Sequence, residues 1–413
     1  MLADSARSLG SARRLSISNG KIQHVIFVIQ ENRSFDDLFQ GYPGADTQSY
    51  GLDSSGQTIP LAPISLAAPY DIDHSSIAFF EAYDHGKMDG FNKEYNGAPP
   101  SEYPNPQYGY VPPAESQLYF EMAGQYVLAD RMFTSHIDAS YISHQYAIAA
   151  QANHAVDFPS GVWGCERRLP DLITTLTQHR KYGPQEPVCQ NYQTLGDELD
   201  TAGLSWRMYA YSKMSIWVAY RSIEHIFHGP DWKTDVIGHS SRVLKDIRDG
   251  TLANVSWVTP TGANSDHGGS LSTTGPDWVA SIVNTVGRSQ YWNSTAIFVM
   301  WDEWGGWYDH VKPVYEDYDG LGFRVPLLMV SAYAKQGYVT HVQYEHGSVL
   351  RFIEDNWGLP QLAASDARAN DPASDAFDFT QQPRKFKAFR TKLSADDFLR
   401  MEGTQKQFEP DTE

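Results

Sequence analysis

The sequence has 413 residues, of which 41% are apolar and 20% are charged, a balance that is typical of a globular protein rather than of a disordered chain. This length allows one large domain or two lobes. The net charge of -18 makes non-specific binding to nucleic acid or to an anionic membrane unfavourable, because both surfaces are negatively charged. There is no run of about 18 apolar residues, so we expect no transmembrane helix.

Apolar segments and helical patterns alternate along the chain. Four segments rich in β-branched residues predict strands buried on both faces: HVIFVIQ (24–30), NVSWVTP (254–260), TAIFVMW (295–301) and VPLLMVSAY (325–333). Four amphipathic segments predict helices: SQLYFEMAGQYVLADRMF (116–133), QTLGDELDTAG (193–203), GPDWVASIVNTVGRS (275–289) and EHGSVLRFIEDNWG (345–358). The alternation predicts an α/β fold with a central, largely parallel sheet that is flanked by helices.

The chain shows no clear boundary between two domains. We therefore interpret residues 22–380 as a single domain, with a cap inserted at about 155–235, a flexible N-terminal tail over 1–21 and a polar C-terminal tail over 381–413. The N-terminus lacks the apolar core of an intact signal peptide. Cys165 and Cys189 lie in the cap. They are either two separate thiols or a disulfide, and two cysteines alone leave both alternatives open.

Polar side chains follow three of the predicted strands near the point where each strand ends. Glu31 and Asn32 follow the first strand, Asp266 and His267 follow the second, and Asp302 and Glu303 follow the third. Because ligands bind outside the carboxyl ends of the strands in open α/β sheets, we expect these side chains to lie close together. The sequence therefore predicts a binding site at this edge of the sheet.

The residue types limit what such a site would bind. Asp302 and Glu303 are adjacent acids, and two buried carboxylates repel each other unless a cation lies between or beside them. Oxygen ligands without a cysteine or histidine cluster indicate a hard divalent ion, or zinc in an oxygen-rich site. For the first segment alone, a helix N-cap by Asn32 or Ser34 explains the residues equally well, since Asn and Ser favour that position.

A candidate nucleophile lies in the segment RMFTSHIDASYISHQY (131–146). It carries the hydroxyl groups of Ser135, Ser140 and Ser143, and their spacing alone does not choose among them. The chain has no G-x-S-x-G motif, which argues against an α/β-hydrolase mechanism. It also has no G-x-G-x-x-G motif and no P-loop, so a nucleotide cofactor is not indicated.

Five segments, in this order, resemble the motifs of one family: ENRSFDDLF, HGKMDGF, WDEWGGWYDHV, GFRVPLLMVSAYAK and VTHVQYEHGSVLRFIED. The family is the bacterial phosphoesterase family that joins acid phosphatases and phosphatidylcholine-type phospholipases C, within the alkaline-phosphatase superfamily. The resemblance covers about residues 22–380. It implies that this region is a phosphoesterase catalytic domain with an alkaline-phosphatase-like α/β fold, which hydrolyses phosphoric esters through a phosphoserine intermediate and depends on a metal.

The resemblance also implies a set of site residues. One divalent cation, with Ca²⁺, Zn²⁺, Mg²⁺ and Mn²⁺ as candidates, is expected to be bound by Glu31, Asn32, Ser140, Asp302 and Glu303. The implied catalytic residues are Ser140 as the nucleophile, with Asn32, His74 and His267. Three further residues are expected near the ligands or the substrate: His225, Asp309 and His310. The segment SYISHQY departs from the family pattern at Ile142, Ser143 and His144, where the family has Pro, Asn and Arg.

Three functions are compatible with these motifs. An acid-phosphatase-like phosphomonoesterase is expected first, because phosphatase-type members tend to carry Ser at the nucleophile position. A phospholipase C acting on phosphatidylcholine-like phosphodiesters is the alternative, so the expected partner is a phosphate ester or a phospholipid. A binding or scaffold protein that has lost its chemistry is the alternative of another class. Family members are typically exported, which implies a secreted or periplasmic protein and a Cys165–Cys189 disulfide. The sequence does not indicate the oligomeric state.

Overall fold

The computed structural model describes residues 16–167 and 171–402. Within these residues the strands are β1 (His24–Gln30), β2 (Tyr50–Leu52), β3 (Thr58–Pro60), β4 (Ala62–Pro63), β5 (Gly109–Tyr110), β6 (Val127–Ala129), β7 (Ala155–Val156), β8 (Leu172–Leu176), β9 (Tyr182–Pro187), β10 (Trp206–Ala210), β11 (Val236–Gly238), β12 (Val255–Val258), β13 (Thr295–Trp301), β14 (Leu327–Ser331) and β15 (Tyr338–Thr340). The α-helices are α1 (Phe35–Phe39), α2 (Ser76–Tyr83), α3 (Gln117–Gln125), α4 (Ser140–Ala149), α5 (Leu195–Ala202), α6 (Glu224–Phe227), α7 (Asp231–Thr234), α8 (Arg242–Asp249), α9 (Gly275–Gly287), α10 (His346–Trp357), α11 (Ala364–Arg368) and α12 (Ala395–Met401).

Eight of these strands form the central sheet, in the order β11-β10-β12-β1-β13-β14-β6-β15. Strand β14 is antiparallel to both of its neighbours, and every other neighbouring pair is parallel. The predicted α/β class with a largely parallel sheet is therefore confirmed. The exception is β14, which was predicted as one of the parallel-type strands. A strand that runs antiparallel to its neighbour can be reached by a returning loop and needs no crossover helix.

Helices cover both faces of the sheet. Phe298 and Trp301 lie three positions apart on β13, so their side chains point to opposite faces. The ring of Phe298 packs on Phe352 of α10 at a centroid distance of 5.0 Å. The ring of Trp301 packs on Tyr119 of α3 at 4.9 Å. Because both faces are covered, every residue of β13 is buried, which explains its uninterrupted run of apolar side chains.

The predicted bounds hold for two of the four strands, are too wide for the other two, and miss one short strand. Strands β1 and β13 have the predicted bounds, and the predicted strands at 254–260 and 325–333 are shorter. The helix predicted over 116–133 ends at Gln125, because Tyr126 leaves the helical conformation and the next three residues form β6. A three-residue buried strand has too few positions to show its own periodicity, so the helical pattern runs on through it.

The range 155–235, which the sequence predicts to be an inserted cap, contains strands of two different sheets. A separate three-stranded sheet of β7, β8 and β9 spans residues 155–187. Strand β10, which also lies in this range, pairs with β12 in the central sheet. Cys165 and Cys189 are joined by a disulfide with a Cα–Cα distance of 4.8 Å, which confirms the pairing that the resemblance implied. The bond fixes the end of the cap sheet.

The two termini differ from each other. The predicted N-terminal tail lies outside the described residues up to position 15. Of the predicted C-terminal tail, the part up to residue 402 is described, and its Phe389 and Phe398 are buried. The ring of Phe398 on α12 packs on Trp278 of α9 at 5.3 Å. This segment therefore contributes to the core instead of only crossing the surface. Among the described helices, none has the length and apolar character needed to cross a bilayer.

Candidate active site

Two adjacent strands bring the first group of polar side chains together. Strands β1 and β13 pair in parallel, with Gln30 opposite Trp301 at their carboxyl ends. The next residues along each strand are therefore neighbours, and the backbone N–H of Asn32 donates to Asp302 Oδ1 at 2.9 Å. Glu31, Asn32, Asp302 and Glu303 are all fully buried. The expected convergence at this edge of the sheet is present in the structure.

The backbone after β13 fits closely around Asn32. The Gly305 N–H donates to Glu303 Oε2 at 2.7 Å, which fixes that carboxylate. Gly305 has φ +64°, and a Cβ atom added there would lie 2.5 Å from the carbonyl oxygen of Asn32. A side chain at this position would push the two strand ends apart, which explains the glycine in the segment WDEWGG.

The structure separates the three candidate serines. Ser140 is the first residue of α4, it is fully buried, and its Oγ donates to Asn32 Oδ1 at 3.3 Å. Ser143 Oγ donates instead to the carbonyl oxygen of Asp302 at 2.7 Å. Ser135 Oγ donates to Glu345 Oε2 at 2.8 Å. Of the three hydroxyls, that of Ser140 is the one that contacts the Asn32 amide.

Two imidazole rings complete this side of the site. His74 Nδ1 and His267 Nδ1 each lie 2.7 Å from a backbone carbonyl oxygen, so these nitrogens carry the proton and donate it. The Nε2 atoms are then acceptors, and Asn32 Nδ2 donates to them at 3.2 Å and 2.9 Å. Burial, together with the neighbouring His74, lowers the pKa of His267 to about 3, so this ring is neutral.

A carboxylate and imidazole cluster lies on the other side of Asn32. Ligand atoms of Glu31, His144 and Asp302 lie within 4.8 Å of one another. Burial and the charge of Asp302 raise the pKa of Glu31 and of Glu303 well above the usual range. Within the described residues, Glu31 Oε2, Asp302 Oδ2 and Glu303 Oε1 are buried without a hydrogen-bond partner. Buried carboxylate oxygens without donors fit a divalent cation, which would supply the missing positive charge.

The predicted ligands are not equally close to this cluster. Asn32 Oδ1 and Ser140 Oγ contact each other beside it, as described above. Glu303 lies outside the group of three, and its Oε1 faces His74 Nε2 at 3.7 Å. The sequence motifs did not predict His144 as a site residue, and it was noted only as a departure from the family pattern. The sequence did hold an indication of its position, because it follows Ser140 by four residues and so lies on the same face of α4.

Asp309 and His310 belong to a separate buried ion network. Asp309 accepts two hydrogen bonds from the guanidinium of Arg324, at 2.9 and 3.0 Å. The backbone N–H of His310 donates to Asp36 Oδ2 at 2.9 Å, and its Nδ1 lies 2.6 Å from the same oxygen. Asp36 lies on α1, directly after the segment that carries Asn32. The network therefore joins the two segments that follow β1 and β13, and Arg324 offsets part of its negative charge.

The structure does not bring His225 to the site. Its Nε2 lies 2.8 Å from Asp197 Oδ1, and its Nδ1 contacts Asn191 Oδ1. Its side chain is 38% exposed, whereas the side chains of His74 and His267 are fully buried. The resemblance led us to expect His225 near the ligands or the substrate, but the fold places it on α6, beside the start of α5.

Comparison with known proteins relates most of the chain to one family. The Phosphoesterase family model matches residues 22–360. Phospholipase C B of Mycobacterium tuberculosis (strain CDC 1551 / Oshkosh) is 24% identical over 437 residues, which cover 89% of this chain and 79% of that protein. Non-specific phospholipase C1 of Arabidopsis thaliana is 25% identical over 393 residues, which cover 82% of this chain and 68% of that protein.

Solved structures give more distant similarities. A protein in the alkaline phosphatase superfamily from Vibrio parahaemolyticus has a TM-score of 0.43 and 9% identity, and the match covers 86% of this chain and 72% of that one. The lipoteichoic acid synthase LtaP from Listeria monocytogenes has a TM-score of 0.40 and 6% identity, and the match covers 86% of this chain and 76% of that one.

Proposed function

Since this chain belongs to the phosphoesterase family and is a phosphoric ester hydrolase, we propose that it transfers the phosphoryl group first to Ser140 and then to water. The observation that carries the proposal is the contact between Ser140 Oγ and the Asn32 amide, whose Nδ2 bridges the Nε2 atoms of His74 and His267. A hydroxyl, two imidazoles and three buried carboxylates, each with one oxygen that has no hydrogen-bond partner within the described residues, thus meet at one strand edge. These are the groups that a two-step phosphoryl transfer needs.

The two steps use different atoms of the same centre. In the first, Ser140 Oγ attacks phosphorus, the bond to the leaving alkoxide breaks, and phosphoserine forms. In the second, water attacks the phosphoserine, phosphate or a phosphomonoester leaves, and the Ser140 hydroxyl is regenerated. Nε2 of His74 or His267 can accept a proton and then donate it to the departing oxygen. Asn32 Nδ2 can turn from the rings to a phosphate oxygen.

The position of Ser140 at the start of α4 supports this role. The helix has ten residues, and the N-terminus of a helix carries a partial positive charge that favours a phosphate group. The cation-binding residues in this proposal are Glu31 and Asp302, with Asn32, Ser140 and Glu303 beside them. A divalent cation bound there offsets the charge on the phosphate oxygens and lowers the pKa of a neighbouring hydroxyl.

We propose phosphate monoesters as the first substrate class. The support is Ser140 itself, the residue that phosphatase-type members tend to carry, together with the full burial of the centre, which suits a small phosphate group. Phospholipase C activity is the second candidate, because the similar curated proteins are named phospholipases C. The contact between Ser140 and Asn32, and the buried carboxylate oxygens that have no hydrogen-bond partner within the described residues, argue against a scaffold that has lost its chemistry.

The family and the disulfide support a proposal about the location of the protein. Disulfides persist in oxidising compartments and are rare in the cytosol. We propose that the protein is secreted or periplasmic, which the Cys165–Cys189 bond supports.

Three chromogenic and lipid substrates distinguish the two activities. Protein with a bound divalent cation is assayed with p-nitrophenyl phosphate, p-nitrophenylphosphorylcholine and phosphatidylcholine vesicles, with Ser140→Ala as the control. The monoesterase proposal expects release of p-nitrophenol from the monophosphate and no comparable turnover of the two diesters. Turnover of the diesters alone would replace it by the phospholipase C proposal. No turnover of any substrate, with the cation still bound, would contradict both.

A further inference from the structure

His144 contacts both acids of the carboxylate cluster. It lies on α4, one helical turn after Ser140, and its side chain is 1% exposed. Its Nε2 is 3.1 Å from Glu31 Oε1 and 3.8 Å from Asp302 Oδ2. Two carboxylates from different strands and one imidazole from a helix therefore converge on one point.

The spacing is that of atoms that share one metal ion. Ligand atoms at about 2.1 Å from a common ion lie about 3.0 Å apart at right angles and about 3.4 Å apart in a tetrahedron. The two distances from His144 Nε2, at 3.1 and 3.8 Å, are close to this range. Glu31 Oε2 and Asp302 Oδ2 have no hydrogen-bond partner within the described residues, so a His144–Glu31 hydrogen bond alone leaves one oxygen of each acid without a donor.

His144 also differs from the other buried histidines around the centre. His74 and His267 are held by a hydrogen bond from Nδ1 to a backbone carbonyl. His346 donates from Nε2 to the carbonyl oxygen of Asp302, and its Nδ1 accepts from the backbone N–H of Ser135. His144 Nδ1 is buried and has no partner within the described residues. The orientation of the His144 ring is therefore set on the Nε2 side, by Glu31 and Asp302.

We propose that His144 Nε2 is a ligand of the catalytic cation, which makes the centre a mixed nitrogen and oxygen site selective for Zn²⁺-like ions. An imidazole ligand suits Zn²⁺ and the neighbouring transition metals, whereas Mg²⁺ and Ca²⁺ prefer oxygen ligands alone. The inference rests on the proposed function only in that it places the cation at the same centre. His144 departs from the family pattern, which has arginine at this position. An arginine side chain stays protonated and cannot act as a metal ligand.

The test measures metal binding rather than turnover. Chelator-treated parent protein, His144→Gln and His341→Gln are titrated by calorimetry with Zn²⁺ and with Mg²⁺, and are loaded with Co²⁺ for its visible spectrum. His341 is a matched control, because its Nδ1 lies 2.8 Å from a carboxylate oxygen of Asp130 and it is outside the cluster. We expect the parent and His341→Gln to bind Zn²⁺ more tightly than Mg²⁺ and to share one Co²⁺ spectrum.

His144→Gln is expected to change both readouts. Its Zn²⁺ affinity should fall by more than about 100-fold, since loss of an outer-sphere partner alone costs about 10- to 100-fold. Its Mg²⁺ affinity should change by less than about tenfold, because glutamine still offers an oxygen. The Co²⁺ bands should shift to those of a ligand set with one nitrogen fewer. Unchanged Zn²⁺ affinity and an unchanged Co²⁺ spectrum would overturn the proposal.

Two further results keep the outcome decisive. If His144→Gln does not fold, the parent still decides, because a parent that binds Mg²⁺ as tightly as Zn²⁺ contradicts a nitrogen ligand. The same preparations are assayed for phosphoserine on Ser140. If phosphoserine forms but the Co²⁺ spectrum of His144→Gln is unchanged, His144 is not a metal ligand and the proposed function still holds. If the Co²⁺ spectrum shows a nitrogen ligand but no phosphoserine forms, His144 is a metal ligand and the proposed function is contradicted.

Discussion

Replacing Asn32 by aspartate tests how the centre is organised. The amide Nδ2 of Asn32 donates to two imidazole nitrogens, His74 Nε2 and His267 Nε2, whose Nδ1 atoms are already used by backbone carbonyls. Aspartate has the same shape and tolerates the left-handed backbone of this position, where φ is +52°. It has no N–H to donate. The substitution therefore turns two hydrogen bonds into contacts between acceptors.

The size of the effect follows from that count. A buried acceptor left without its donor costs about 1–3 kcal/mol, so two acceptors predict a loss of about 2–6 kcal/mol in the free energy of unfolding. Urea denaturation of chelator-treated protein at neutral pH measures it, so that metal binding does not contribute. In the control Asn191→Asp, the amide oxygen is the acceptor from His225, and aspartate keeps that role. We expect the control to change by less than about 0.5 kcal/mol.

A small effect would refute this reasoning. If Asn32→Asp unfolds within about 0.5 kcal/mol of the parent, Nδ2 does not bridge the two rings and the arrangement of the centre is different.

Two predictions concern regions away from the centre. Replacing Cys165 and Cys189 by alanine opens a loop whose ends are 24 residues apart, and urea denaturation should show a loss of about 3.5 kcal/mol in unfolding free energy; no loss would mean that the bond is absent. Burial and the neighbouring Asp366 raise the pKa of Glu354 from 4.5 to about 11, so this side chain is protonated in the folded protein. In the unfolded chain it ionises above about pH 4.5, and the folded protein therefore loses stability relative to the unfolded chain as the pH rises above that value. Glu354→Gln should therefore gain stability relative to the parent by about 1.4 kcal/mol per pH unit between pH 5 and pH 7, and an equal difference at both pH values would contradict this.

The long buried strands could be predicted from the sequence, and so could the residues that follow them. β1 and β13 are seven-residue strands built around an apolar run and followed by acids or an amide, and such runs show both their extent and their burial. The adjacency of Glu31 and Asp302 then follows from parallel pairing. For the segment from Asn32 to Asp37, the sequence allowed both a helix N-cap and a binding-site residue, and the structure contains both. Ser34 does cap α1, since its Oγ accepts from the Asp37 N–H, while Asn32 lies in the site.

Other features depended on contacts that the sequence does not show. The direction of β14 is set by the loop that precedes it and by its pairing with β13 and β6. His144 and His225 illustrate the limits of motif comparison. His225 was expected near the ligands or the substrate but pairs with Asp197, whereas His144 breaks the family pattern and lies in the cluster. Which imidazole reaches the acids is decided by the helix face and by tertiary packing.

The most direct test of the central claim is to identify the residue that becomes phosphorylated. Protein incubated with p-nitrophenyl phosphate is quenched in acid, digested and analysed by fragmentation mass spectrometry, which distinguishes Ser140 from Ser135 and Ser143. We expect phosphate on Ser140, and a decrease in kcat of at least about 10³-fold in Ser140→Ala with little change in KM. Phosphate on Ser143 or Ser135, or near-parental kcat in Ser140→Ala, would contradict it.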